Sequence, residues 1–391
     1  MKDDQFTQAA NWDFPVSVKY APGRLAEVGA LCLTAGCRKP LIVTDRLTAK
    51  LPFVEILRGH LAAAGLSHGT FSDVSPNPTD VEVVVGKAAF LAGGHDSIIA
   101  LGGGSGMDAG KAISLVLNSP RDLWDFDYNV TPPAELGKDD FVPLLCVPTT
   151  AGTGAETEST AMITDTKRGI KGCVWHPAQK PFAALLDPEL TVGLPRNLTA
   201  WTGCDALTHA IEAYIVPSFH PMCDGIALQA LGMIYRALPK TLDNPTSIPA
   251  RGAMLTGSCL AGVAFLKGLG MVHAISHMVG AEFDTQHGLT NAILLPIVLR
   301  FNASSIGPKI APMCQAMGLD GTDFETFYAA VCGLLDQCGI PRSLAEIGVT
   351  ANRVDSIAAK AMTDTAAGTN PRPFDLQEVT ALIHQALTHA R

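Results

Sequence analysis

The stretch Ser97-Ile-Ile-Ala-Leu-Gly-Gly-Gly-Ser-Gly-Met-Asp108 decides how the first half of this chain folds. It begins with an apolar run of strand length, which ends in Gly102, Gly103 and Gly104, where a strand would turn into a helix. At such a turn, unhindered backbone NH groups and the positive end of the helix face one point, which suits a pyrophosphate. The stretch therefore predicts a phosphate-binding turn. A glycine-rich turn that serves only close packing is the alternative, because residues 104–109 match the GxGxxA dinucleotide fingerprint loosely.

The segments around this turn alternate between strand-like and helix-like patterns. Short apolar runs rich in β-branched residues occupy residues 40–44 and 142–147, and helical periodicity occupies residues 52–65 and 81–91. This alternation is typical of βαβ units and predicts a mostly parallel sheet. We also expect an antiparallel hairpin over residues 161–174, with its turn at residues 166–169.

Beyond residue 195 the pattern is helical throughout. Thr199 is a predicted cap for the first helix, which would run through Tyr214. Further apolar segments occupy residues 223–240, 250–280, 289–303 and 324–338. We therefore predict an α/β, Rossmann-like N-terminal domain over residues 1–195 and an all-α C-terminal domain over residues 196–391.

The composition describes a compact globular protein with an acidic surface. The chain has 391 residues, of which 47% are hydrophobic and 17% charged, and its formal net charge is -9. A negative chain without a Lys/Arg cluster would be repelled by nucleic acid and by anionic lipid, so we expect neither as a partner. The N-terminus begins with acidic residues, and no apolar run of membrane-spanning length is evident, which predicts a cytoplasmic protein. The ten cysteines include no CxxC pair and are interpreted as reduced core residues.

A second loop and an isolated aspartate extend the nucleotide-binding pattern. Pro148-Thr-Thr-Ala-Gly-Thr-Gly-Ala155 follows another predicted strand and offers the hydroxyls of Thr149, Thr150 and Thr153 for phosphate and ribose contacts. Asp45 ends a predicted strand, where a carboxylate accepts hydrogen bonds from a ribose and repels a 2'-phosphate. These residues predict NAD rather than NADP. A helix cap before Leu47 is the alternative function of Asp45.

Five potential metal ligands lie in the second half. Asp205 and His209 are separated by four residues, as are His273 and His277, so each pair lies on one face of a helix; His287 follows before Gly288. A single histidine on an apolar helix is more often a hydrogen-bonded core residue, but the whole set favours a metal site. Three imidazoles and a carboxylate suit Fe(II) or Zn(II) with a position open for substrate. Such an ion would polarise an alcohol oxygen and favour hydride transfer to a nicotinamide.

Taken together, these segments resemble the iron-containing (group III) alcohol dehydrogenase family. The similarity runs in order along nearly the whole chain and is carried by Ser75-Pro-Asn-Pro-Thr79, Gly102-Gly-Gly-Ser105 with Asp108, residues 148–154, Gly203-Cys-Asp-Ala-Leu-Thr-His-Ala-Ile-Glu212, His273-Ala-Ile-Ser-His277, His287-Gly288 and Thr369-Asn-Pro-Arg-Pro373.

The resemblance implies a role for each matching residue. Asp205, His209, His273 and His287 would bind the metal, and His277 would remain unligated near the nicotinamide as the candidate for proton handling. The implied cofactor contacts are Asp45, Gly102, Gly103, Gly104, Ser105, Asp108, Thr149, Thr150, Thr153 and Lys171. The resemblance further implies a dehydroquinate synthase-like architecture, Fe(II) as the usual ion with Zn(II) possible, NAD as cofactor, and a homodimer or larger homo-oligomer.

Two other functions remain as alternatives to a metal-dependent alcohol dehydrogenase. One is a lyase of the dehydroquinate synthase type, which uses NAD during a multistep reaction on a phosphorylated substrate. The weakly charged segments around residues 203–213 and 270–290 lack the basic cluster that such a substrate needs. The other is a nucleotide-binding protein without turnover. Because no basic residues flank the metal motifs, we expect a small, neutral or weakly polar primary alcohol, diol or aldehyde as substrate.

Overall fold

The computed structural model describes residues 10–12, 16–389 and 391, and these divide into two compact units. The first unit comprises Met1–Thr150 and Ala155–Val192, and the second comprises Ala151–Gly154 and Gly193–Arg391. The main boundary lies close to residue 195. The short segment Ala151–Gly154 belongs to the helical unit, which the sequence pattern does not predict.

A seven-stranded sheet with the order β1-β2-β9-β6-β5-β3-β4 forms the framework of the first unit. Neighbouring strands are parallel, apart from the antiparallel pair β1 and β2. The strands are β1 (Ala10–Trp12), β2 (Val18–Tyr20), β3 (Pro40–Val43), β4 (Gly69–Phe71), β5 (Ser97–Gly102), β6 (Leu144–Pro148) and β9 (Ala183–Leu186). The predicted α/β class is confirmed. The sequence pattern missed β1, β2, β4 and β9, which have three or four residues each.

Both faces of this sheet are covered by helices, which explains why its middle strands are apolar along their length. In β5, Ile98 and Ala100 pack into one core cluster and Ile99 and Leu101 into another, because successive side chains point to opposite faces. Helices α3 and α4 contribute to the first cluster, and α1 and α2 contribute to the second. The four helices are α1 (Val28–Thr34), α2 (Pro52–Ala63), α3 (Asp80–Gly93) and α4 (Gly104–Val116).

The predicted hairpin is confirmed. Strands β7 (Thr160–Asp165) and β8 (Ile170–Trp175) pair antiparallel and form a separate two-stranded sheet. Asp165 accepts hydrogen bonds from the backbone of Lys167 and Arg168, which stabilises the turn. This hairpin places Lys171 in β8 opposite Thr164.

The second unit contains helices and no strand among its described residues. Its helices are α5 (Arg196–Ile215), α6 (Pro221–Asp243), α7 (Ile248–Ala264), α8 (Met271–Phe283), α9 (His287–Asn302), α10 (Gly307–Met317), α11 (Phe324–Gln337), α12 (Val354–Ala361) and α13 (Leu376–Thr388). The predicted cap at Thr199 is wrong: α5 begins at Arg196, and the Thr199 hydroxyl donates to the Leu194 carbonyl. The apolar segment 250–280 is two helices, because the chain turns at Gly268 with a φ of 114°.

One helical stretch in the described residues, Ile248–Lys267, is long and apolar enough to cross a membrane by length and composition. The expectation that no apolar run reaches that length is therefore wrong. However, 78% of its most apolar window is buried within the chain, as in a core helix. The ten cysteines form no disulfide, and nine of them are buried, as the sequence predicts.

Candidate functional site

Four side chains of the helical unit converge on one point. Helix α5 contributes Asp205 and His209, α8 contributes His273, and α9 begins at His287. One potential ligand atom from each residue lies within 4.8 Å of all the others. Asp205 Oδ1 lies 3.9, 4.0 and 3.6 Å from Nε2 of His209, His273 and His287, respectively. Ligand atoms around one tetrahedral ion with bonds of about 2.1 Å lie about 3.4 Å apart, so the four side chains are close enough to hold one divalent ion once the wider spacings contract.

The other ring nitrogen of each ligand histidine faces a separate partner. Nδ1 of His209 lies 3.3 Å from the Gly152 carbonyl oxygen, and Nδ1 of His287 lies 3.5 Å from Ser276 Oγ. Nδ1 of His273 lies 2.5 Å from a carboxylate oxygen of Glu212. These contacts orient the rings so that Nε2 points toward the common centre, as in metal sites whose ligand histidines are held from behind.

Glu212 is a site residue to which the sequence reasoning assigned no role. Its side chain is 1% exposed; Oε2 faces His273 Nδ1, and Oε1 accepts a hydrogen bond of 2.9 Å from the Val272 backbone. A signal was present in the sequence: Asp205, His209 and Glu212 are spaced so that they share one face of α5. Glu212 therefore fixes both the start of α8 and the ring of its first histidine.

Asn291 is a second residue that the sequence reasoning missed. It lies one turn after His287 in α9 and is fully buried. Its Nδ2 donates to Asp205 Oδ1 over 2.7 Å and lies 3.1 Å from Nε2 of both His273 and His287. The amide nitrogen thus lies beside three of the four atoms that would bind a cation. A buried group of one carboxylate oxygen and three imidazole nitrogens suits a metal cation.

Burial also keeps His209 in the form that binds metal. Desolvation lowers the pKa of His209 to about 4, although the neighbouring Asp205 carboxylate acts in the opposite direction. The imidazole is therefore neutral at pH 7, and no proton has to leave before its lone pair is used.

His277 lies one turn beyond His273 in α8 and stands outside the four-residue group. Its ring stacks on that of His287, with the centroids 5.3 Å apart and the planes 15° apart. Its Nδ1 lies 2.9 Å from Asp364 Oδ2, a partner 87 residues away in the sequence. The structure thus places His277 beside the predicted ligands.

In the first unit the structure brings several predicted cofactor residues together. The Asp45 carboxylate lies close to the backbone of Gly102, which has a φ of 137°. A Cβ atom added at Gly102 would lie 3.4 Å from Asp45 Oδ2. A Cβ on Gly103 would lie 3.3 Å from Thr150 Cγ2, and the Thr149 backbone donates to the Gly102 carbonyl over 2.9 Å. The Asp45 carboxylate also accepts hydrogen bonds from the Leu47 and Thr48 backbone amides, so it orders its own loop as well.

The amino end of α4 follows this cluster. The helix starts at Gly104 and Ser105, and its N-cap Gly103 provides no side-chain hydrogen bond to the first amides. Asp108 lies in the first turns, and its pKa is raised because burial outweighs the attraction of Lys111 and Lys171. Lys111 Nζ lies 3.3 Å from Asp108 Oδ1 and donates to the Ala155 carbonyl over 2.9 Å.

Two other predicted cofactor residues belong to other segments. Lys171 Nζ donates to Asn77 Oδ1 over 3.1 Å. Thr153 belongs to Ala151–Gly154, the segment grouped with the helical unit. In that segment a Cβ on Gly154 would lie 2.5 Å from Gly262 Cα, so its backbone packs directly on α7.

Comparison with known proteins covers both halves of the chain. Residues 15–188 match the family model "iron-containing alcohol dehydrogenase", and residues 199–387 match the C-terminal model of the same family. The NAD-dependent methanol dehydrogenase of Bacillus methanolicus is 36% identical over 386 residues, covering 96% of this chain and all of the relative. The 1,3-propanediol dehydrogenase of Klebsiella pneumoniae is 35% identical, covering 94% of this chain and 96% of the relative.

A solved structure of a 1,3-propanediol oxidoreductase superimposes with a TM-score of 0.89 at 34% identity, over 97% of this chain and 100% of that one. The family models, the relatives and the solved structure therefore all point to the same family. This protein belongs to the iron-containing alcohol dehydrogenase family and is an oxidoreductase that acts on alcohols.

Proposed function

We propose that this chain is an NAD-dependent, divalent-metal-dependent alcohol dehydrogenase that interconverts a small primary alcohol or diol and its aldehyde by hydride transfer. The observation that carries the proposal is the convergence of Asp205, His209, His273 and His287 in a chain of this family. The relatives named for methanol and 1,3-propanediol support a short substrate.

The metal would be held by those four side chains, and Fe(II) is the proposed ion with Zn(II) as a substitute. A bound divalent ion supplies Lewis-acid polarisation of the substrate oxygen. The chain itself orients the proposed ligand rings through contacts at their other ring nitrogens. It also keeps water away, because the proposed ligand side chains of α5 and α8 are at most 5% exposed. We assign His277, the unligated neighbour, to proton handling, since its ring lies against His287.

The cofactor would bind to the first unit, with residues 1–195 as the NAD-binding domain and residues 196–391 as the metal-binding catalytic domain. The bound nicotinamide supplies the hydride acceptor. Support comes from the open amino end of α4 and from the closeness of Asp45 to Gly102. Asp45 would accept hydrogen bonds from a ribose and disfavour a 2'-phosphate. Ser105, Asp108, Thr149, Thr150, Thr153 and Lys171 remain the other proposed contacts.

Three further expectations accompany this proposal. The chain would act on small molecules without nucleic acid or membrane partners, as its net charge of -9 favours. It would work in the cytoplasm, and it would form a homodimer or larger homo-oligomer.

The test is NADH formation from NAD with a panel of short primary alcohols and diols. Anaerobically prepared protein with ferrous iron restored is compared with metal-stripped protein, with Asp205→Ala and with Asp355→Ala, an exposed aspartate on α12 as the control. We expect turnover only with metal. Asp205→Ala should lose at least about tenfold in turnover, whereas the Asp355→Ala control should lose no activity. Full activity of Asp205→Ala would refute the site. Accumulating NADH also separates this reaction from the lyase alternative, which returns its NAD unchanged.

A further inference from the structure

We infer that Asp364 is a positioning residue that sets the tautomer and the orientation of His277, an inference that rests on the function proposed above. Asp364 Oδ2 lies 2.9 Å from His277 Nδ1, and the two side chains are 3% and 7% exposed. A hydrogen bond between buried groups in a water-poor setting is strong and directional. No pattern in the sequence connects these residues, which lie on different elements.

The Asp364 carboxylate is itself held in place. Its other oxygen, Oδ1, accepts a hydrogen bond of 2.8 Å from the Ala366 backbone amide. The Asp364 backbone is anchored on both sides, because its amide donates to the Ala361 carbonyl over 3.2 Å and its carbonyl accepts from the Ala367 amide over 3.1 Å. The carboxylate therefore presents one oxygen to His277 from a fixed turn.

That turn is attached to the helix that carries His277. Residues 364–370, here called the C-terminal strap, reach the start of α8 through Thr369, whose hydroxyl donates to the Leu269 carbonyl over 2.6 Å. Asn370 Oδ1 accepts from the Met271 backbone amide over 3.2 Å. Asn370 also exchanges two hydrogen bonds, of 2.9 and 3.0 Å, with the side chain of Asn302 in α9. The strap thus holds the first turn of α8 and, through Asp364, the histidine near its middle.

This arrangement has a chemical consequence for His277. An ionised carboxylate only accepts hydrogen bonds, so a neutral His277 paired with it carries its proton on Nδ1. Nε2 is then the nitrogen with the free lone pair, and it is the one available to a substrate proton. The ring cannot turn freely, because it stacks on His287 and lies edge-on to His273 at a centroid distance of 5.8 Å.

A purely structural role, in which Asp364 only orders the strap through its hydrogen bond with the Ala366 amide, is the competing explanation. It predicts that loss of Asp364 lowers stability and activity whether or not His277 is present. The positioning role predicts instead that Asp364 matters to turnover only through His277. A double-mutant cycle separates these explanations, because it measures the energetic coupling between two residues.

The experiment compares Asp364→Ala, Asp364→Asn, His277→Ala and the double variant Asp364→Ala/His277→Ala, with the exposed Asp355→Asn as the matched control. We expect Asp364→Ala to lower kcat about 10- to 100-fold, with KM and metal content close to the wild type. Asp364→Asn should also lose activity, because both carboxylate oxygens accept hydrogen bonds and an amide oxygen can replace only one of them. In the His277→Ala background, Asp364→Ala should cause no further loss. An equal loss in both backgrounds, or wild-type kcat in Asp364→Ala, would overturn the inference.

A second readout does not require turnover. In zinc-loaded protein labelled with 15N-histidine, His277→Ala identifies the His277 resonances, and their shifts report which ring nitrogen carries the proton. We expect the Nδ1–H form in the wild type and a shift toward Nε2–H in Asp364→Ala. An Nε2–H form in the wild type would refute the inference. If the wild type oxidised no alcohol at all, the proposed function would fail while this measurement still decided the role of Asp364.

Discussion

Two buried glutamates show how differently single residues are accommodated in this chain. Glu212, 1% exposed, has a partner on each carboxylate oxygen, the Val272 amide and the ring of His273. Glu158, 4% exposed, has an Oε1 atom without a hydrogen-bond partner among the described residues. A buried carboxylate that lacks donors prefers to be protonated. Glu212 therefore suits a role beside a cation, whereas Glu158 costs stability when it ionises.

The first prediction concerns that cost and its pH dependence. Burial raises the pKa of Glu158 to about 8, with a smaller opposing contribution from Lys111, whereas a glutamate in the unfolded chain has a pKa of about 4.3. Between these values the folded protein holds a proton that the unfolded chain has lost. The free energy of unfolding should therefore fall as the pH rises from about 4.3 to 8.

Replacing the carboxyl group of Glu158 by an amide removes its contribution to the pH dependence of the free energy of unfolding. We expect Glu158→Gln to show a flatter pH dependence of its urea midpoint and to exceed the wild type in stability at pH 8 by on the order of a few kcal/mol. Glu27→Gln, at an exposed carboxylate of the same unit, is the control and should follow the wild type. A Glu158→Gln profile parallel to that of the wild type from pH 5 to 9 would contradict the prediction.

At the scale of elements, the metal centre depends on how closely α9 approaches α5. Gly288 is the second residue of α9, and a Cβ atom there would lie 2.3 Å from the Trp201 carbonyl oxygen and 2.9 Å from Asp205 Cβ. Both clashes involve α5 near the site, and neither atom belongs to a flexible side-chain end. A larger residue must therefore push α9 away and take His287 with it.

We predict that Gly288→Ala weakens zinc binding by at least about tenfold and lowers the unfolding midpoint, because ligand geometry tolerates little displacement. The measurements are a competitive chelator titration and thermal unfolding of the apoprotein. Gly307→Ala is the matched control, since this glycine also lies at a helix start but a Cβ there would meet nothing within 4 Å. Equal zinc affinity in Gly288→Ala and the wild type would refute the prediction.

At the scale of the whole molecule, the candidate metal ligands are confined to one of the two units. Asp205, His209, His273 and His287 all belong to Gly193–Arg391, on three different helices. An ion that bridges α5, α8 and α9 stabilises only the state in which these helices are packed together. Ligand linkage gives about 2.7 kcal/mol when the free metal exceeds its Kd by a hundredfold.

We therefore predict that removing the metal lowers amide protection mainly in the second unit. Hydrogen exchange with mass spectrometry should show faster exchange in peptides from α5, α8 and α9 of chelator-treated protein, while β3, β5 and β6 change little. Re-addition of zinc should restore the protection. A loss spread evenly over both units would contradict the assignment of the metal to the helical unit alone.

Features that are local in the chain were predictable from the sequence, whereas features created by packing were not. The β5–α4 turn was predictable because an apolar strand, three glycines and a helix follow one another within twelve residues, at 97–108. Asp205 and His209 were predictable as a pair because four-residue spacing places both on one helix face. The start of α5 was not predictable. Thr199 has the side chain of a helix cap, but it lies inside the helix, where its hydroxyl donates to the Leu194 carbonyl.

The sequence by itself determined the class of the fold, a glycine-rich turn between a strand and a helix, and a set of five potential metal ligands, because periodicity and residue chemistry are local properties of the chain. The family resemblance implied which four of them would bind the metal, whereas only the tertiary structure showed that these four converge and that His277 faces Asp364, 87 residues away. The tertiary structure alone also revealed Glu212 and Asn291 as partners of the site. Helix packing makes these contacts, and spacing along one helix carries no information about the neighbour that its face will meet.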